Sequence, residues 1–409
     1  MIHCRICDQI ISAPFLSLGK SPLANNYRKI NEDYKPEEFF PLAAYVCPRC
    51  FLVQLPAFQK AKKIFTKEYL YFSSYSQSWL SHIEKYVDVA IKRFLQNKKS
   101  FVIEIGSNDG YLLQYFLRKK YHILGIDPAK QAVTKARKKG IFTLSSFFSS
   151  GLAQSLREKG KVADLIICNN VIPHNDDLLD FVKGLRILLK DRGVITAEFP
   201  HVYQLIRKKL FDTIYHEHFS YFSLSSAKFL FELEELSIFD AEELPTHGGS
   251  LRLYIKHKSD STKSITRNVK KIIEKEKKFG LRTLRKYSSF KNEVLKVKFN
   301  LLEFFLTAKK KHMKIVGYGA PAKAATLLNY CGIGKDFVDF TVDIIPQKQG
   351  KTIAGTGIPI FHPKEIVRYK PDYVIIFPWN IKEEIRKKLE YVKRWNGKLV
   401  IPLPKLKIY

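Results

Sequence analysis

The middle of the chain alternates between short apolar runs and longer helix-compatible stretches. The runs are rich in β-branched and aromatic residues, which favour β-strands. The predicted strands are Phe101–Ile105, Tyr121–Ile126, Ile141–Leu144, Asp164–Cys168 and Val194–Phe199. Strands that alternate with helices predict a doubly wound α/β domain, a parallel sheet with helices on both faces.

Two other patterns flank these strands. Apolar residues from Trp79 to Ala90 recur at spacings of three and four, which predicts an amphipathic helix. The runs Ser237–Glu242 and Leu251–Lys256 are separated by a glycine-containing turn, so we expect a final antiparallel pair.

The last hundred residues repeat the α/β pattern on a smaller scale and predict a second, Rossmann-like domain. Its predicted elements are the strand Ile315–Gly317, a helix near Ala322–Tyr330, and the strands Phe337–Val342, Tyr373–Phe377 and Leu399–Pro402. Residues 259–312 are densely charged, with apolar positions at near-helical spacing, and predict long connecting helices.

Four of the six cysteines form two pairs, Cys4-x-x-Cys7 and Cys47-x-x-Cys50. Two such turns can present four thiolates to one tetrahedral zinc ion, which would give a closed, structural site. Cys168 and Cys331 stand alone in apolar segments and are expected to be small core residues.

These patterns predict four parts. Residues 1–58 form a loop-rich zinc-binding module, 59–258 the larger α/β domain, 259–312 a helical connector, and 313–409 the second α/β domain.

Composition narrows the class of protein. The 409 residues are 45% hydrophobic and 27% charged, which is ordinary for a globular chain. No apolar run approaches the roughly 18 residues of a membrane helix, and the N-terminus has no apolar leader. We therefore expect a cytoplasmic protein without a membrane partner.

The formal net charge is +31. The excess is spread along the chain and is mostly lysine, so we interpret it as background composition with a general attraction to anions. A phosphorylated small substrate would suit this charge as well as a polynucleotide.

The first α/β domain carries a glycine turn typical of an S-adenosylmethionine site. Glu104 lies in its first strand, Gly106 and Gly110 follow that strand, and Asp127 ends the next. A dinucleotide site would need a third glycine for its pyrophosphate, whereas acidic residues suit a cationic, phosphate-free ligand. A purely structural turn is the alternative. The predicted cofactor-binding residues are Glu104, Gly106, Asn108, Gly110, Asp127 and Asn169.

Residues 211–222 are unusually rich in proton-handling groups. If this run is extended, His216 and His218 lie on one face, and Tyr215 and Glu217 on the other. A general base, a His-x-His metal site and ordinary structural histidines all remain open from the pattern alone. Asn169 and Asn170 close the fourth strand, at the end of the sheet where open α/β proteins bind substrates.

The second α/β domain begins with a strand, the glycines Gly317 and Gly319, and then Lys323. Free backbone N–H groups at such a helix start favour an anion such as a nucleotide phosphate. A tight packing turn is an equal alternative. Gly317, Gly319, Lys323 and His216 are the predicted substrate-binding residues.

Together these segments resemble the family of sugar C-methyltransferases of deoxysugar biosynthesis. The resemblance covers essentially the whole chain. It rests on the paired cysteines and on the segments Ser21–Asn25, Glu104–Gly110, Tyr215–Tyr221, His247–Arg252 and Gly317–Lys323. It implies a zinc-binding module, a class I methyltransferase core and a C-terminal Rossmann-like domain.

The resemblance also implies an activity: methyl transfer from S-adenosylmethionine to a carbon beside a ketone on a nucleotide-linked sugar. It makes His218 the base that removes the proton. Tyr215, Glu217, Asn170 and Tyr71 match residues near the sugar. Ala324 and Ala325 depart from the family pattern after Lys323, where a glycine and a polar residue are expected.

Two alternatives compete with this interpretation. A methyltransferase acting on RNA would suit the zinc and the charge, but the fourth strand lacks the Asn-Pro-Pro-Tyr pattern of many enzymes that methylate base amino groups. A zinc-containing nucleic-acid-binding protein would leave Tyr215–His218 without a purpose. No basic stripe with stacking aromatics is evident, so we expect no nucleic-acid partner.

Overall fold

A computed structural model describes residues 1–32, 36–59 and 72–409 of the chain. These residues group into two units, each assembled from three segments. The first unit comprises Met1–Ser12, Val46–Tyr203 and Phe219–Thr283, and the second comprises Ala13–Tyr45, Gln204–His218 and Leu284–Tyr409.

A mixed sheet forms the centre of the first unit. Its described strands lie in the order Leu236–Leu244, Ser250–His257, Leu189–Pro200, Ala163–Asn169, Phe101–Ile105, His122–Asp127 and Thr143–Ser145. The last five strands in this order pair in parallel, whereas Ser250–His257 pairs antiparallel with both of its neighbours, Leu236–Leu244 and Leu189–Pro200. Their central residues are buried, as expected for strands covered on both faces.

Helices surround this sheet. Those of the first unit are Gln77–Phe94, Leu113–Arg118, Lys130–Lys138, Ser150–Glu158, Leu178–Leu188, Leu224–Leu233 and Arg267–Phe279, and Val202–Lys208 crosses the boundary between the units. The predicted amphipathic helix is confirmed, because Ile83, Tyr86, Val87 and Ala90 form one buried face of Gln77–Phe94. No helix of the described ranges is long and apolar enough to cross a membrane.

The N-terminal segment of the first unit is built from very short strands. Ile2–His3 pairs with Ile10–Ile11, and Val53–Gln54 pairs with Ser220–Tyr221. The Arg5 guanidinium donates to the carbonyls of Leu55 at 2.6 Å and Phe219 at 2.8 Å. These bonds attach the cysteine-bearing turns to the rest of the unit.

The second unit contains its own sheet. The described strands lie in the order Lys407–Ile408, Lys398–Ile401, Tyr373–Ile376, Ile315–Tyr318, Thr341–Val342, Pro359–Phe361, Lys351–Thr352 and Arg28–Lys29. A separate antiparallel pair joins Leu16–Ser21 to Phe40–Val46. The helices are Leu284–Lys310, Ala322–Cys331, Lys364–Tyr369 and Lys382–Lys388.

The described residues also form 3₁₀ helices of three residues each, Ile30–Glu32, Ser73–Tyr75, Ile172–His174, Phe211–Thr213, Thr246–Gly248, Pro346–Lys348 and Trp379–Ile381, and one of six residues, Glu390–Trp395.

The predicted strands are present, with some bounds shifted. The strand expected at Phe337–Val342 is shorter and covers only Thr341–Val342. The N–H of Val338 bonds to the carbonyl of Gly334 in a turn, so ladder pairing begins after it. Cys168 and Cys331 are buried, as predicted.

Candidate active site and metal centre

The four paired cysteines converge in the first unit. The sulfur atoms of Cys4, Cys7, Cys47 and Cys50 all lie within 4.8 Å of one another, and none forms a disulfide. The Cys4–Cys50 and Cys7–Cys47 sulfur pairs are 3.4 and 3.5 Å apart. A tetrahedral zinc site with bonds of about 2.3 Å places its sulfurs about 3.8 Å apart, so the cluster is close to that size.

The two cysteine turns share one backbone design. The N–H of Asp8 bonds to the Cys4 carbonyl at 3.0 Å, and the N–H of Phe51 bonds to the Cys47 carbonyl at 3.1 Å. Asp8 and Phe51 both adopt left-handed φ angles, 59° and 58°. The Cys47 sulfur also faces the Cys50 N–H at 3.5 Å. Four preorganised thiols without a disulfide are the donor set that zinc requires, so the residues fit this metal.

Two glycines shape the turn after the first strand of the large sheet. Gly106 has a φ of +69°, and an added Cβ would lie 2.3 Å from the Val171 side chain. Gly110 has a φ of +74°, and its Cβ would lie 2.4 Å from Ile141. Both positions therefore need glycine for conformation and for space.

Buried carboxylates line the same end of the sheet. Asp127 accepts hydrogen bonds from the N–H groups of Asn108 at 2.9 Å and Ala129 at 2.8 Å. Burial raises the pKa of Asp127 to about 6. Burial also raises the pKa of Glu104 well above its usual range, and the Asp127 and Asp109 carboxylates add to this effect.

Several buried polar atoms at these strand ends have no hydrogen-bond partner among the residues that the structure describes. They are both carboxylate oxygens of Glu104, both amide atoms of Asn169 and Oδ1 of Asn170. Unsatisfied buried groups are costly, and they commonly mark a ligand site. The amide of Asn169 offers a donor and an acceptor, and the carboxylate of Glu104 suits a cation.

The structure adds His247, to which sequence reasoning assigned no role. Asn170 and His247 both adopt left-handed φ angles, 56° and 51°, and Nδ2 of Asn170 lies 3.3 Å from Nε2 of His247. Trp79 packs edge-on against the His247 ring, with the ring centroids 5.1 Å apart. The available signal was the segment His247–Arg252, which carried the family resemblance without an assigned residue.

A buried glutamate holds the turn that carries His247. Glu198 is fully buried and accepts hydrogen bonds from His82 at 3.1 Å, Arg252 at 2.5 Å and Thr246 at 2.8 Å. Burial acts to raise the pKa of Glu198, but the His82 hydrogen bond and the Arg252 charge hold it at about 2. This ionised network fixes Thr246 and thus the neighbouring His247.

The residues at this end of the sheet fit S-adenosylmethionine. Asp127 ends the strand beside the glycine turn, where it would accept the ribose hydroxyls. Glu104 would face the positive charge of the ligand, and Asn169 would bond its polar edge. A side chain at position 106 would collide with Val171, so only the backbone of Gly106 can lie close to a ligand there.

Residues 211–218 of the proton-handling segment belong to the second unit, and they are not extended. Phe211–Thr213 forms a 3₁₀ turn, and the His218 N–H closes another turn on the Tyr215 carbonyl at 2.9 Å. The Tyr215 hydroxyl lies 2.8 Å from Nε2 of His218, and the Thr213 carbonyl lies 3.0 Å from Nδ1. The segment therefore folds Tyr215 onto His218 instead of placing them on opposite faces.

The neighbouring side chains have different surroundings. His216 is buried, its Nε2 lies 3.1 Å from the Pro41 carbonyl, and burial lowers its pKa. Glu217 is also buried and accepts a hydrogen bond from Nδ2 of Asn25 at 2.6 Å. Burial raises the pKa of Glu217 to about 7. The ring nitrogens of His216 and His218 therefore have different backbone carbonyls as partners.

Contacts within the second unit anchor this segment. Trp379 donates from its indole N–H to Asp212 at 2.6 Å, and the Thr326 hydroxyl donates to the Ile214 carbonyl at 2.9 Å. Burial raises the pKa of Asp212 to about 6. The C-terminal residues thus build the local frame for Tyr215 and His218.

The predicted substrate-binding turn of the second unit is tightly packed. A Cβ at Gly317 would meet Phe377 at 2.5 Å, and Gly319 has a φ of +83°. Lys323 donates to Asn380 at 2.7 Å, its Nζ lies 4.4 Å from the centre of the Trp379 ring, and burial lowers its pKa to about 8. These contacts give each residue a packing role, and their part in substrate binding stays a prediction.

Tyr71, placed near the substrate by the family resemblance, lies outside the described residues.

Family models match most of the chain in three successive parts. A zinc binding domain matches residues 4–65, a methyltransferase domain residues 79–238, and a C-methyltransferase C-terminal domain residues 245–404.

A curated relative is similar over nearly the whole length. C-methyltransferase NovU of Streptomyces niveus is 30% identical over 406 residues, which cover 99% of this chain and 96% of the relative.

Solved structures match a smaller part. Magnesium protoporphyrin IX methyltransferase from Synechocystis PCC 6803 with bound S-adenosylmethionine is 16% identical, with a TM-score of 0.32, over 44% of this chain and 78% of the other. An S-adenosylmethionine-dependent methyltransferase from Clostridium acetobutylicum is 12% identical, with a TM-score of 0.36, over 44% of this chain and 92% of the other.

The three matched domains occur in the order that the sequence predicted. The methyltransferase domain is of class I, and the four-cysteine cluster fits the zinc of the N-terminal domain. The chain therefore belongs to the C-methyltransferase family and is an S-adenosylmethionine-dependent C-methyltransferase with an N-terminal zinc-binding domain.

Proposed function

We propose that this C-methyltransferase acts on a nucleotide-linked keto-deoxysugar and that His218 deprotonates the carbon beside the ketone. The substrate class rests on the motif resemblance. The observation that carries the mechanism is the pair of contacts on His218, from the Thr213 carbonyl and the Tyr215 hydroxyl.

These contacts define the proton positions on the imidazole ring. A backbone carbonyl is only an acceptor, so Nδ1 of His218 carries a proton that it donates to Thr213. In the neutral ring, Nε2 then holds the lone pair and accepts the Tyr215 hydroxyl proton. The basic nitrogen is thus assigned before substrate arrives.

The deprotonation step uses both side chains. Nε2 of His218 takes the proton from the carbon next to the ketone, and the electron pair of the C–H bond forms an enolate. For this transfer the Tyr215 hydroxyl first turns from Nε2 to the ketone oxygen, which frees the Nε2 lone pair and leaves the hydroxyl donating to the enolate oxygen as it forms. Such stabilisation is required, because a histidine with a pKa near 6.5 is a weak base for a carbon acid.

Bound S-adenosylmethionine would supply an electrophilic methyl group with a neutral thioether as its leaving group. We assign Glu104, Gly106, Asn108, Gly110, Asp127 and Asn169 to its binding. Asn170, Glu217 and Tyr71 would contact the sugar, with Gly317, Gly319, Lys323 and His216 as further candidates for the substrate.

We also propose the bounds of the domains, the location of the enzyme and its partner. The zinc module would cover residues 1–58, the methyltransferase domain 59–258, the helical connector 259–312 and the Rossmann-like domain 313–409. We propose a cytoplasmic enzyme whose partner is the nucleotide sugar, without nucleic-acid or membrane partners.

Incubation with radiolabelled S-adenosylmethionine and a panel of nucleotide 4-keto-deoxysugars tests the substrate class. We expect label in a sugar product that gains the mass of one CH₂ group, because a methyl group replaces a hydrogen, and that keeps the label after acid hydrolysis of the nucleotide. The control panel contains the corresponding nucleotide sugars without a ketone. Transfer to RNA, with no transfer to any keto-sugar at about 200 mM salt, would contradict the proposal.

A further inference from the structure

A polar chain in the second unit leads away from Glu217. Nδ2 of Asn25 lies 2.6 Å from Oε2 of Glu217, and Oδ1 of Asn25 lies 3.1 Å from the Tyr27 hydroxyl. The same hydroxyl lies 2.6 Å from the carbonyl oxygen of Ala320. Four groups are therefore in hydrogen-bond contact in sequence, from a buried carboxyl to a backbone carbonyl.

The far end of this chain is held firmly. The Ala320 carbonyl also accepts a hydrogen bond from Nζ of Lys348 at 2.8 Å, and the Ala320 N–H donates to Asp343 at 2.8 Å. Lys348 and Asp343 form an ion pair at 3.8 Å. Ala320 follows Gly319, so the chain ends on the glycine turn of the C-terminal domain.

The number of available protons limits the directions in which the hydrogen bonds of this polar chain can point. The Tyr27 hydroxyl has one proton and two neighbouring acceptors, Oδ1 of Asn25 and the Ala320 carbonyl, so it can donate to only one of them. The two ends of an asparagine amide have nearly the same shape, and a half-turn exchanges its donor and its acceptor. Two complete arrangements follow.

In the first arrangement Glu217 is ionised. Asn25 donates to the carboxylate, Tyr27 donates to Asn25, and the Ala320 carbonyl relies on Lys348. In the second arrangement Glu217 is protonated and donates to Asn25, Asn25 donates to Tyr27, and Tyr27 donates to Ala320. The direction of every bond in the chain thus depends on one proton.

Both arrangements should be populated near neutral pH because of the surroundings of Glu217. Burial raises the pKa of Glu217 to about 7, although the side chain and backbone N–H of Asn25 and the charge of Lys348 act to lower it. Tyr27 and Asp343 are the other titratable groups near this chain. On its own segment the titratable neighbours are Tyr215, His216 and His218.

We propose that Asn25 and Tyr27 are positioning residues, which hold the Glu217 carboxyl in a directed hydrogen-bond chain that ends on the Ala320 carbonyl. The catalytic meaning of this chain rests on the proposed function, in which Glu217 contacts the sugar. The chain itself is a property of the unliganded protein, so it can be tested without substrate.

Substitutions of Asn25 and Tyr27 should shift the pKa of Glu217 in opposite directions. Replacing Asn25 by leucine removes a charge-assisted bond from the ionised form, which is stronger than the neutral bond lost from the protonated form. The Glu217 pKa should therefore rise, by about one unit. Replacing Tyr27 by phenylalanine removes one more bond from the protonated arrangement than from the ionised arrangement, because a hydrogen bond from Lys348 to the Tyr27 hydroxyl is common to both. The pKa of Glu217 should therefore fall, by about half a unit.

The measurement is a ¹³C NMR titration of glutamate carboxyls in the full-length protein, with the Glu217 signal assigned by its loss in Glu217→Gln. We expect a wild-type midpoint near 7, a higher one in Asn25→Leu and a lower one in Tyr27→Phe. Tyr369→Phe is the matched control, because it removes a tyrosine bond to a different carboxylate, Asp339 at 3.1 Å, and should leave the midpoint unchanged.

Shifts in the same direction for both variants, or no shift in either, would overturn the proposal, as would a wild-type Glu217 midpoint below 5. If Asn25→Leu does not fold, Asn25→Ala makes the same prediction. Failure of the keto-sugar assay would leave this titration unaffected, so the two proposals fail separately. In an active enzyme, the pH profile of kcat should shift in the same opposite directions.

Discussion

The carbonyl oxygen of Thr213 lies 3.0 Å from Nδ1 of His218. Because a carbonyl only accepts, this contact holds the proton on Nδ1 and leaves the lone pair of the neutral ring on Nε2, the nitrogen that faces the Tyr215 hydroxyl at 2.8 Å. A backbone group five residues earlier thus decides which nitrogen of His218 carries the lone pair. The mechanism proposed for His218 depends on this relationship.

The zinc centre makes the first prediction. Cys50→Ser should lower the zinc content from one ion per chain towards zero, because an uncharged hydroxyl replaces a thiolate ligand. The free energy of unfolding should fall, since structural zinc binding contributes directly to folding. Elemental analysis and thermal unfolding measure both effects.

Cys331→Ala is the control for this change. It alters a buried cysteine outside the cluster and should retain one zinc per chain. A wild-type protein that folds stably with no zinc would contradict the metal assignment.

The glycine turn makes the second prediction. Gly106→Ala should destabilise the first unit, because Gly106 has a φ of +69° and the new methyl would lie 2.3 Å from Val171. Gly160→Ala is the matched control: its φ is also +69°, but no heavy atom lies within 4 Å of the added Cβ. The control should lose only about 1–2 kcal/mol of unfolding free energy, and Gly106→Ala should lose more.

The excess loss at Gly106 should be partly recovered by adding Val171→Ala, which makes room for the new methyl. Chemical denaturation of the three variants measures this. Equal losses for Gly106→Ala and Gly160→Ala would show that Val171 does not confine the turn.

Asp127 makes the third prediction. Asp127→Asn should weaken S-adenosylmethionine binding by about 10- to 100-fold, since hydrogen bonds to a charged group contribute about 1.5–3 kcal/mol. Calorimetric titration measures the affinity. Asp88→Asn, at a surface carboxylate, should change nothing.

The affinity for S-adenosylmethionine should also depend on pH, because Asp127 can be protonated. In the proposed site, ribose hydroxyls would donate to the ionised carboxylate, and burial raises the pKa of Asp127 to about 6. Affinity should therefore weaken as the pH falls through about 6, where Asp127 becomes protonated. An affinity that stays constant between pH 7.5 and 5 would remove Asp127 from the ribose site.

The strand ends at the proposed S-adenosylmethionine site were predictable from the sequence, whereas the conformation of the His218 segment was not. Short apolar runs ending at Ile105 and Asp127 mark strands by composition alone, and parallel strands bring their ends together. The sequence did not fix the backbone of the segment containing Tyr215, which folds into turns. Its conformation depends on Trp379 and Thr326, which lie 167 and 112 residues away from their partners along the chain.

That dependence makes the fourth prediction. Trp379→Phe removes the indole donor from Asp212, whose side chain is buried. Leaving a buried carboxylate without this bond costs about 1–3 kcal/mol and should loosen the segment that carries His218. We expect kcat to fall while S-adenosylmethionine affinity is retained.

Trp395→Phe provides the comparison, because it also removes an indole hydrogen bond in the second unit, to the Pro371 carbonyl at 3.0 Å. It should leave kcat close to the wild-type value. Equal losses of kcat in the two variants would indicate general destabilisation instead of a specific effect on the His218 segment.

In the proposed mechanism, His218 removes the proton from the carbon beside the ketone. His218→Asn keeps a polar side chain but removes the titratable nitrogen, so methyl transfer should slow by about 10²–10⁴-fold. His312→Asn is the control, because His312 is exposed and its φ of 55° suits asparagine.

The most direct measurement is the exchange of the substrate α-proton with deuterated water, followed by NMR with S-adenosylhomocysteine in place of the methyl donor. Without a methyl group to transfer, the enolate can only return to the ketone, so exchange reports deprotonation alone. We predict exchange by the wild type and by His312→Asn, and none by His218→Asn. Exchange and methylation at wild-type rates in His218→Asn would show that another residue is the base.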